Sequence, residues 1–367
     1  MDTPDLASLT LRVLLLAFAT GAAFGAICQR TRFCTMGAVA DLVIVGDWRR
    51  MRMWLLAIGI AILGTAALHG GGIVDIDKSI YRGSELRWLS HLVGGFAFGV
   101  GMILACGCAG KTLIRAGSGS LKALIVLLVL AVSAVISLRG LFAVFRNRVL
   151  DPVSLHLPAG QDLPALLAGF GMPAGIALAL VAALLGGGFC LWALAGTAWR
   201  EVIPGGLGVG FCVLAGWLIS GSLGYLPENP ETLQEAFLAT NSGRMETLSF
   251  VAPPAYGLEW LMYWSDTSRH LSFAIALAGG TLTGACLAAL LSREFRWESF
   301  ANAEDVANHL LGAVLMGFGG VTALGCSIGQ GISGVSTLAL GSLLSLAAIL
   351  AGAVAALRWQ ERRLRNA

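Results

Sequence analysis

Three cysteines stand in settings unlike the rest of the chain. Cys34 closes the run Gln29-Arg30-Thr31-Arg32-Phe33-Cys34 and is followed by Asp41. Cys108 lies in Cys106-Gly107-Cys108-Ala109-Gly110-Lys111-Thr112, with Arg115 and Gly117 beyond it. Cys326 lies in Gly325-Cys326-Ser327-Ile328-Gly329-Gln330-Gly331. The other five, Cys28, Cys106, Cys190, Cys212 and Cys286, occupy ordinary apolar stretches. Each marked cysteine falls just before an expected helical start, where free N–H groups and the positive dipole end face outward. Such ends hold anions, and several converging ends make an anion site inside a bilayer. A thiol adds a weak, soft donor, better matched to a polarizable sulfur atom than to a hard oxygen. Helix ends also lower a thiol pKa, which opens nucleophilic chemistry on sulfur. The plainer role of a membrane cysteine is that of a small packing residue. The matching Gly-Cys steps at Cys108 and Cys326 argue for the site.

The neighbouring groups fit the same chemistry. Arg30, Arg32, Lys111 and Arg115 flank the first two motifs, where they either draw an anion inward or snorkel to an interface. Asp41 either carries a coupling proton or pairs with Arg30 or Arg32, and the pairing is favoured. Gly107, Gly325, Lys111, Arg115 and Gln330 join the three cysteines as candidate substrate contacts. The stretch Thr247-Leu248-Ser249-Phe250-Val251-Ala252-Pro253 either lines an entrance or forms a turn ahead of an interfacial helix. A zinc site needs about four gathered ligands. The single C-x-C pair, Cys106 with Cys108, and five scattered histidines do not supply them. There is no C-x-x-C pair for disulfide exchange. No metal or cofactor is expected.

These motifs must be positioned by membrane helices. Of the 367 residues, 57% are hydrophobic and only 12% charged, and the mean hydropathy is +0.80. Soluble domains run near a quarter charged, so a water-soluble enzyme is excluded. A net charge of +3 with no basic stripe gives no footing to nucleic acid. Apolar windows place spans near 9–27, 54–68, 88–105, 121–144, 173–193, 205–223, 271–291, 310–324 and 338–357, with shorter helical pieces around 33–45, 109–115 and 327–333. The expected fold is an all-α polytopic membrane protein of about nine transmembrane helices plus short re-entrant helices.

Arginines orient it. Met1–Leu11 has none, whereas Arg49, Arg50 and Arg52, Arg293 and Arg296, and the tail at Arg358, Arg362, Arg363 and Arg365 cluster in turns and at the end. The N-terminus is therefore expected outside, the C-terminus in the cytoplasm, and no cleavable signal peptide is evident. The segment 225–270, with six carboxylates against Arg244 and Arg269, is expected as an outside insert. At an offset of 218 residues, Gly94–Cys108 matches Gly312–Cys326 at six positions in fifteen, including both Gly-Cys steps. This repeat suggests pseudo-symmetric halves, about 1–160 and 161–367, within one transmembrane domain. The Cys34 motif has no evident second copy.

At the residues just named, the chain resembles the YeeE/YedE family of sulfur-compound transporters, whose best-understood members take up thiosulfate. The resemblance implies an hourglass of two halves with cysteines stacked along its axis. It also implies a relay, in which the anion's terminal sulfur meets one thiol after another at Cys34, Cys108 and Cys326. Cys108 would be the central contact. Lys111 departs from the family pattern, where a small hydroxyl residue is expected. The resemblance further implies a bacterial inner-membrane location and a separate cytoplasmic partner, a small TusA-like sulfurtransferase, for which the arginine-rich tail from Arg358 offers a docking surface. Thiosulfate is a dianion, and each charge costs ~2.3 kcal/mol per 100 mV to bring into a negative interior, so uptake needs co-transported protons or rapid consumption inside. Two other functions fit the same residues: a membrane sensor or scaffold that binds a sulfur anion without net transport, and a membrane sulfurtransferase carrying a persulfide on Cys108.

Overall fold

The computed structural model describes residues 6–158, 160–196, 199–230, 233–266 and 270–366; Arg269 and the first five residues lie outside these. α1 (Leu6–Thr31) breaks at Arg32 and resumes as α2 (Thr35–Ala40), which a π-helical turn, Asp41–Val45, extends. α3 (Arg49–Gly70) runs back, and the loop 71–87 ends in strand β1 (Glu85–Leu86). α4 (Trp88–Leu104) breaks ahead of Cys108 and continues as α5 (Ala109–Gly117), followed by α6 (Leu121–Arg139). α7 (Leu141–Phe145) and β2 (Leu155–His156) connect to α8 (Leu163–Gly169). α9 (Ala174–Ala182) and α10 (Gly188–Leu194) join through a π turn into one rod. α11 (Trp199–Leu218) is followed by β3 (Tyr225–Leu226) and β4 (Ala236–Phe237). Then come α12 (Ala252–Met262), α13 (Phe273–Leu291) and α14 (Ala303–Thr322). A buried π-helical segment, Gly329–Gly334, leads to α15 (Leu340–Asn366). β1 pairs with β2 and β3 with β4, both antiparallel.

Eight helices of the described residues are long and apolar enough to cross a membrane. α14, the remaining expected span, starts seven residues before its apolar window. Asn302 caps it through a bond from the Asp305 N–H at 2.8 Å, and Glu304 and Asp305 complement the dipole of its first turn. At 20 residues it is about 30 Å long. Ser120 and Ser272 cap α6 and α13 in the same way.

The helices pack as counterpart pairs. α1 lies on α13 as α11 lies on α3, and α4 lies on α15 as α14 lies on α6. α4 and α14 cross each other directly. At that crossing a Cβ on Gly94 would meet Ala323 and Gly319, while one on Gly312 would meet Ala105 and Gly101, which are the same positions exchanged. α12 also takes a counterpart's place, packing on α6 and α13 as α2 packs on α15 and α3. The segment 247–262 is thus the missing second copy of the Cys34 region, with Phe250 answering Phe33 and Val251 standing where Cys34 stands. Leu248, Phe250 and Val251 of this stretch are buried, while Thr247, Ser249 and Val251 line a cavity of about 170 Å³.

Small residues set these contacts, as in membrane helices generally, where dispersion and close backbone approach replace the hydrophobic drive. A Cβ on Gly21 or Gly25 would stand 2.0 or 2.1 Å from the carbonyl oxygens of Leu277 and Thr281, and one on Gly280 or Gly284 would stand 2.0 Å from those of Phe18 and Ala22. Two reciprocal G-x-x-x-G faces therefore interlock α1 with α13. Gly284→Leu is expected to abolish the monodisperse peak in detergent gel filtration. Gly188→Leu, which has open space at that position, is expected to leave the peak intact.

Candidate functional site

Cys34 and Cys108 are helix caps and Cys326 stands just ahead of a helical start, each reached through a left-handed turn. Arg32, Cys106 and Leu324, each two residues before a marked cysteine, adopt left-handed backbone at φ of 55°, 50° and 59°. In the last two the N–H groups of Cys106 and Gly107 bond to Ile103 and Met102, and those of Leu324 and Gly325 to Val321 and Gly320. This is the Schellman closure of a helix C-terminus. It satisfies the carbonyls that a helix stopping inside the membrane would otherwise strand. Cys106 therefore holds a turn, and its own side chain points to an exposed position. Gly325 is needed for space, since a Cβ there would lie 3.1 Å from Gln330, whereas Gly107 has ordinary room at 3.6 Å.

The structure brings the three thiols together. Cys34 caps α2 and accepts the Gly37 N–H at 3.4 Å. Cys326, fully buried, accepts the Gly329 N–H at 3.2 Å and also lies against the N–H groups of Ile328 and Phe250. Cys108 caps α5 between them, close enough to interact with the Cys34 thiol on one side and with Ser327 and Cys326 on the other. All are free thiols. The order is Cys34, Cys108, Cys326, with Val251 in the fourth symmetric place.

Around this line, several buried polar groups lack partners among the described residues: Thr35 Oγ1, Trp54 Nε1, Tyr81 Oη, Ser327 Oγ and Gln330 Oε1. A buried unpaired polar atom costs ~1–3 kcal/mol, so such a set on cysteine-bearing segments or against them is a signature of a ligand path. Tyr81 packs edge-on against Trp217, ring centroids 6.1 Å apart, with its hydroxyl toward Gly329. Sequence reasoning misses Tyr81, Trp54 and Ser327. Nothing in the loop 71–87 marks Tyr81 before folding, and nothing in the stretch after Arg52 marks Trp54; Ser327 lies within the Cys326 motif, but nothing there distinguishes it from its neighbours.

Two cavities flank the line. One, about 410 Å³, is lined by Tyr81, Arg82, Arg87, His91, Arg244 and Gln330 among others. The other, about 480 Å³, is lined by Arg30, Arg32, Asp41, Arg49, Arg50 and Arg200 among others. α3, some 33 Å long for its 22 residues, separates the loops that form them, so they open on opposite faces. Arg244 donates to the carbonyls of Ser79 and Arg82, with no carboxylate paired to its charge among the described residues.

The charges that flank the cysteine motifs sort into paired and unpaired groups. Asp41 pairs with Arg50 at 3.3 Å, not with Arg30 or Arg32; Arg50 returns from α3 against α2, whereas Arg32 leans to Glu294 at 3.9 Å. Arg115 is held by Glu298 at 2.8 Å and donates to the Cys106 carbonyl. The guanidinium holds the Glu298 carboxyl below its usual range. Arg115 thus braces α5 from outside the thiol line. Lys111 has no ion pair among the described residues, and it lies near enough to Cys28 and Cys34 to act on both. That puts it on the Cys34 side. Gln330, which lines the Arg244 cavity, donates to the Ala323 carbonyl, and its buried oxygen has no partner among the described residues. Among the described residues no group of three or more His, Cys, Asp or Glu could hold a metal.

Residues 30–355 match the family model described as sulphur transport. The chain is 28% identical over 330 residues to the thiosulfate transporter TsuA of Escherichia coli (strain K12), covering 87% of each chain. It is 26% identical over 334 residues to the thiosulfate transporter TsuA of Spirochaeta thermophila, covering 89% of this chain and 92% of that one. The chain belongs to the sulphur transport family, as a multi-pass membrane protein.

The left-handed turn at Cys106 yields a direct test. A non-glycine residue in that conformation carries about 1 kcal/mol of strain that glycine relieves. Cys106→Gly is expected to hold or raise the detergent melting temperature, and Cys106→Val to lower it by several degrees in the same scan.

Proposed function

We propose that this family member imports thiosulfate, passing it along Cys326, Cys108 and Cys34 in that order. The observation that carries the reading is the series of three free thiols, with Cys108 between Cys34 and Cys326, among buried polar groups without partners among the described residues. Thiosulfate presents two chemically different ends. Its terminal sulfur is large and polarizable and suits S–H donors. Its sulfonate oxygens suit the hydroxyls of Tyr81 and Ser327 and the N–H ends of the short helices. Sulfate has no sulfur end to offer the thiols.

The Arg244 cavity is the outer mouth and the Arg30 cavity the inner one. The face that holds Arg30 also gathers Arg49, Arg50, Arg115, Lys122 and Arg363, paired in turn with Asp47, Asp41, Glu298, Asp305 and Glu304. That excess faces the cytoplasm by the positive-inside rule. The N-terminus is then outside, the C-terminus inside, and the membrane the bacterial inner membrane. Residues 1–160 and 161–367 act as two halves of one transport domain. Lys111 meets the anion as it leaves Cys108 for Cys34. Arg30 and Arg32 draw it toward the inner cavity, where a cytoplasmic TusA-like sulfurtransferase collects it.

Weak, repeated contacts are what conduction requires, since each site must bind well enough to admit the ion and loosely enough to release it. Labelled-thiosulfate uptake is therefore measured in cells lacking other sulfate and thiosulfate importers. Cys108→Ala is expected to abolish uptake, and excess sulfate to inhibit the native chain only slightly. Binding without uptake by well-expressed native chain would replace transport with a sensor. Tyr81→Phe keeps the ring on Trp217 and removes one hydrogen bond to an anion, worth ~1.5–3 kcal/mol. It is expected to raise KM by about tenfold or more with little change in maximal rate.

A further inference from the structure

One buried carboxyl beside the path is held by neutral donors alone. Of the buried acids among the described residues, Asp162 faces Arg82 at 3.7 Å and Glu259 faces Arg139 at 3.1 Å. Glu246, 8% exposed, is held instead by the hydroxyl of Ser242 and its N–H at 3.0 Å, with the Asn241 N–H nearby. It lines an enclosed, mostly apolar cavity of about 170 Å³ together with Arg146, Ser249, Tyr256 and Gly325. The stretch that carries it, 246–251, continues to Ser249, whose Oγ would stand 2.8 Å from a Cβ on Gly329, and to Phe250, whose N–H faces Cys326.

The groups around it leave its charge exposed to whatever passes. Tyr81 from the outer loop and Tyr256 from α12 are both close enough to sense that charge. Arg146, across the cavity, is engaged with Asp151 at 3.3 Å. Arg244, two residues earlier in the chain, is turned to the carbonyls of Ser79 and Arg82. On α11 and the turn that follows it, the nearest group is the neutral Ser220, bonded to the main chain of Glu246.

We propose that Glu246 is a proton site linked to anion admission: it takes one proton from the outer solution as the dianion reaches Cys326 and returns it when the anion has moved on. The step is a proton transfer alone, from hydronium to carboxylate and back. The proposal rests on the transport reading above. Burial already pushes the Glu246 carboxyl up, and a dianion arriving nearby pushes it further, because like charge disfavours the ionised form. Linkage makes the effect reciprocal, so protonated Glu246 admits the anion more readily than ionised Glu246 does.

Initial rates of labelled-thiosulfate uptake are measured against external pH from about 6 to about 8, where single-proton linkage changes KM by at most tenfold per unit. The native KM is expected to rise with pH. Glu246→Gln, which keeps shape and mimics the protonated form, is expected to hold the low-pH KM throughout. Ser242→Ala keeps the carboxyl but removes a donor to its ionised form, and is expected to move the rise to higher pH. A native KM that ignores pH, a Glu246→Gln profile with the native slope, or a Ser242→Ala profile that stays put or moves to lower pH would each overturn the proton site while leaving transport standing. Absence of uptake by the native chain would instead overturn the transport reading itself.

Discussion

The constraint on which the rest depends is that no backbone N–H or C=O can be left unpaired in hydrocarbon. This chain stops α1 and α4 short and restarts each after a turn, and it opens further helical segments at Gly329, after α14, and at α12 itself. Every such stop leaves up to four carbonyls and every start up to four N–H groups. The stops at Leu104 and Thr322 are closed by their own left-handed turns. The starts are turned toward one another around the thiols, where Cys34 and Cys326 each accept an N–H. The cysteines are thus structural caps and chemical groups at once. Replacing one disturbs both roles, and Cys108, whose sulfur lies against the Lys111 N–H, is no exception.

Burying four helix starts at one place demands helices that approach to backbone contact. That is what the glycines at the α4–α14 and α1–α13 crossings supply. The fold and the site are one solution: relax a crossing and the N–H ends separate, and the same movement would open the thiol line to lipid or water.

How much of this is legible from sequence follows from the same physics. The repeat around Cys108 and Cys326 can be read because backbone closure fixes its glycines, and residues that serve main-chain geometry have few substitutes. The counterpart of Cys34 cannot, because Val251 has no sulfur and only Phe33 with Phe250 and Ala38 with Ala255 survive in common. Likeness there lies in packing on α6 and α13, which leaves no spacing to find. The partner of Asp41 escapes for a related reason. Arg30 and Arg32 are as near in sequence as Arg50, but the left-handed turn at Arg32 swings them to the Glu294 side, while the tight turn at Gly46 brings Arg50 back over α2. An apolar window places the start of α14 late, because its first turn, Glu304 to Asp305, is polar to suit the dipole. Tyr81 and Trp54 carry no local mark and Ser327 only its place beside Cys326; it is their missing partners in the fold that single them out.

On the proposed transport reading, the double charge of thiosulfate accounts for a path lined with thiols rather than fixed cations. Two unit charges 4 Å apart attract by ~4 kcal/mol at the dielectric typical near a protein surface, and a dianion doubles that at each step. A file of arginines would hold thiosulfate too tightly to release it. Here the guanidiniums stay at the two mouths, where water screens them, and most are already paired. Between the mouths the anion meets weak donors of similar strength, so no step is much deeper than the next. Lys111 is the exception, and its place on the Cys34 side is the one that helps. An electrostatic well beyond the midpoint offsets part of the ~4.6 kcal/mol per 100 mV that two negative charges face on moving inward, at the stage where the membrane field opposes them most.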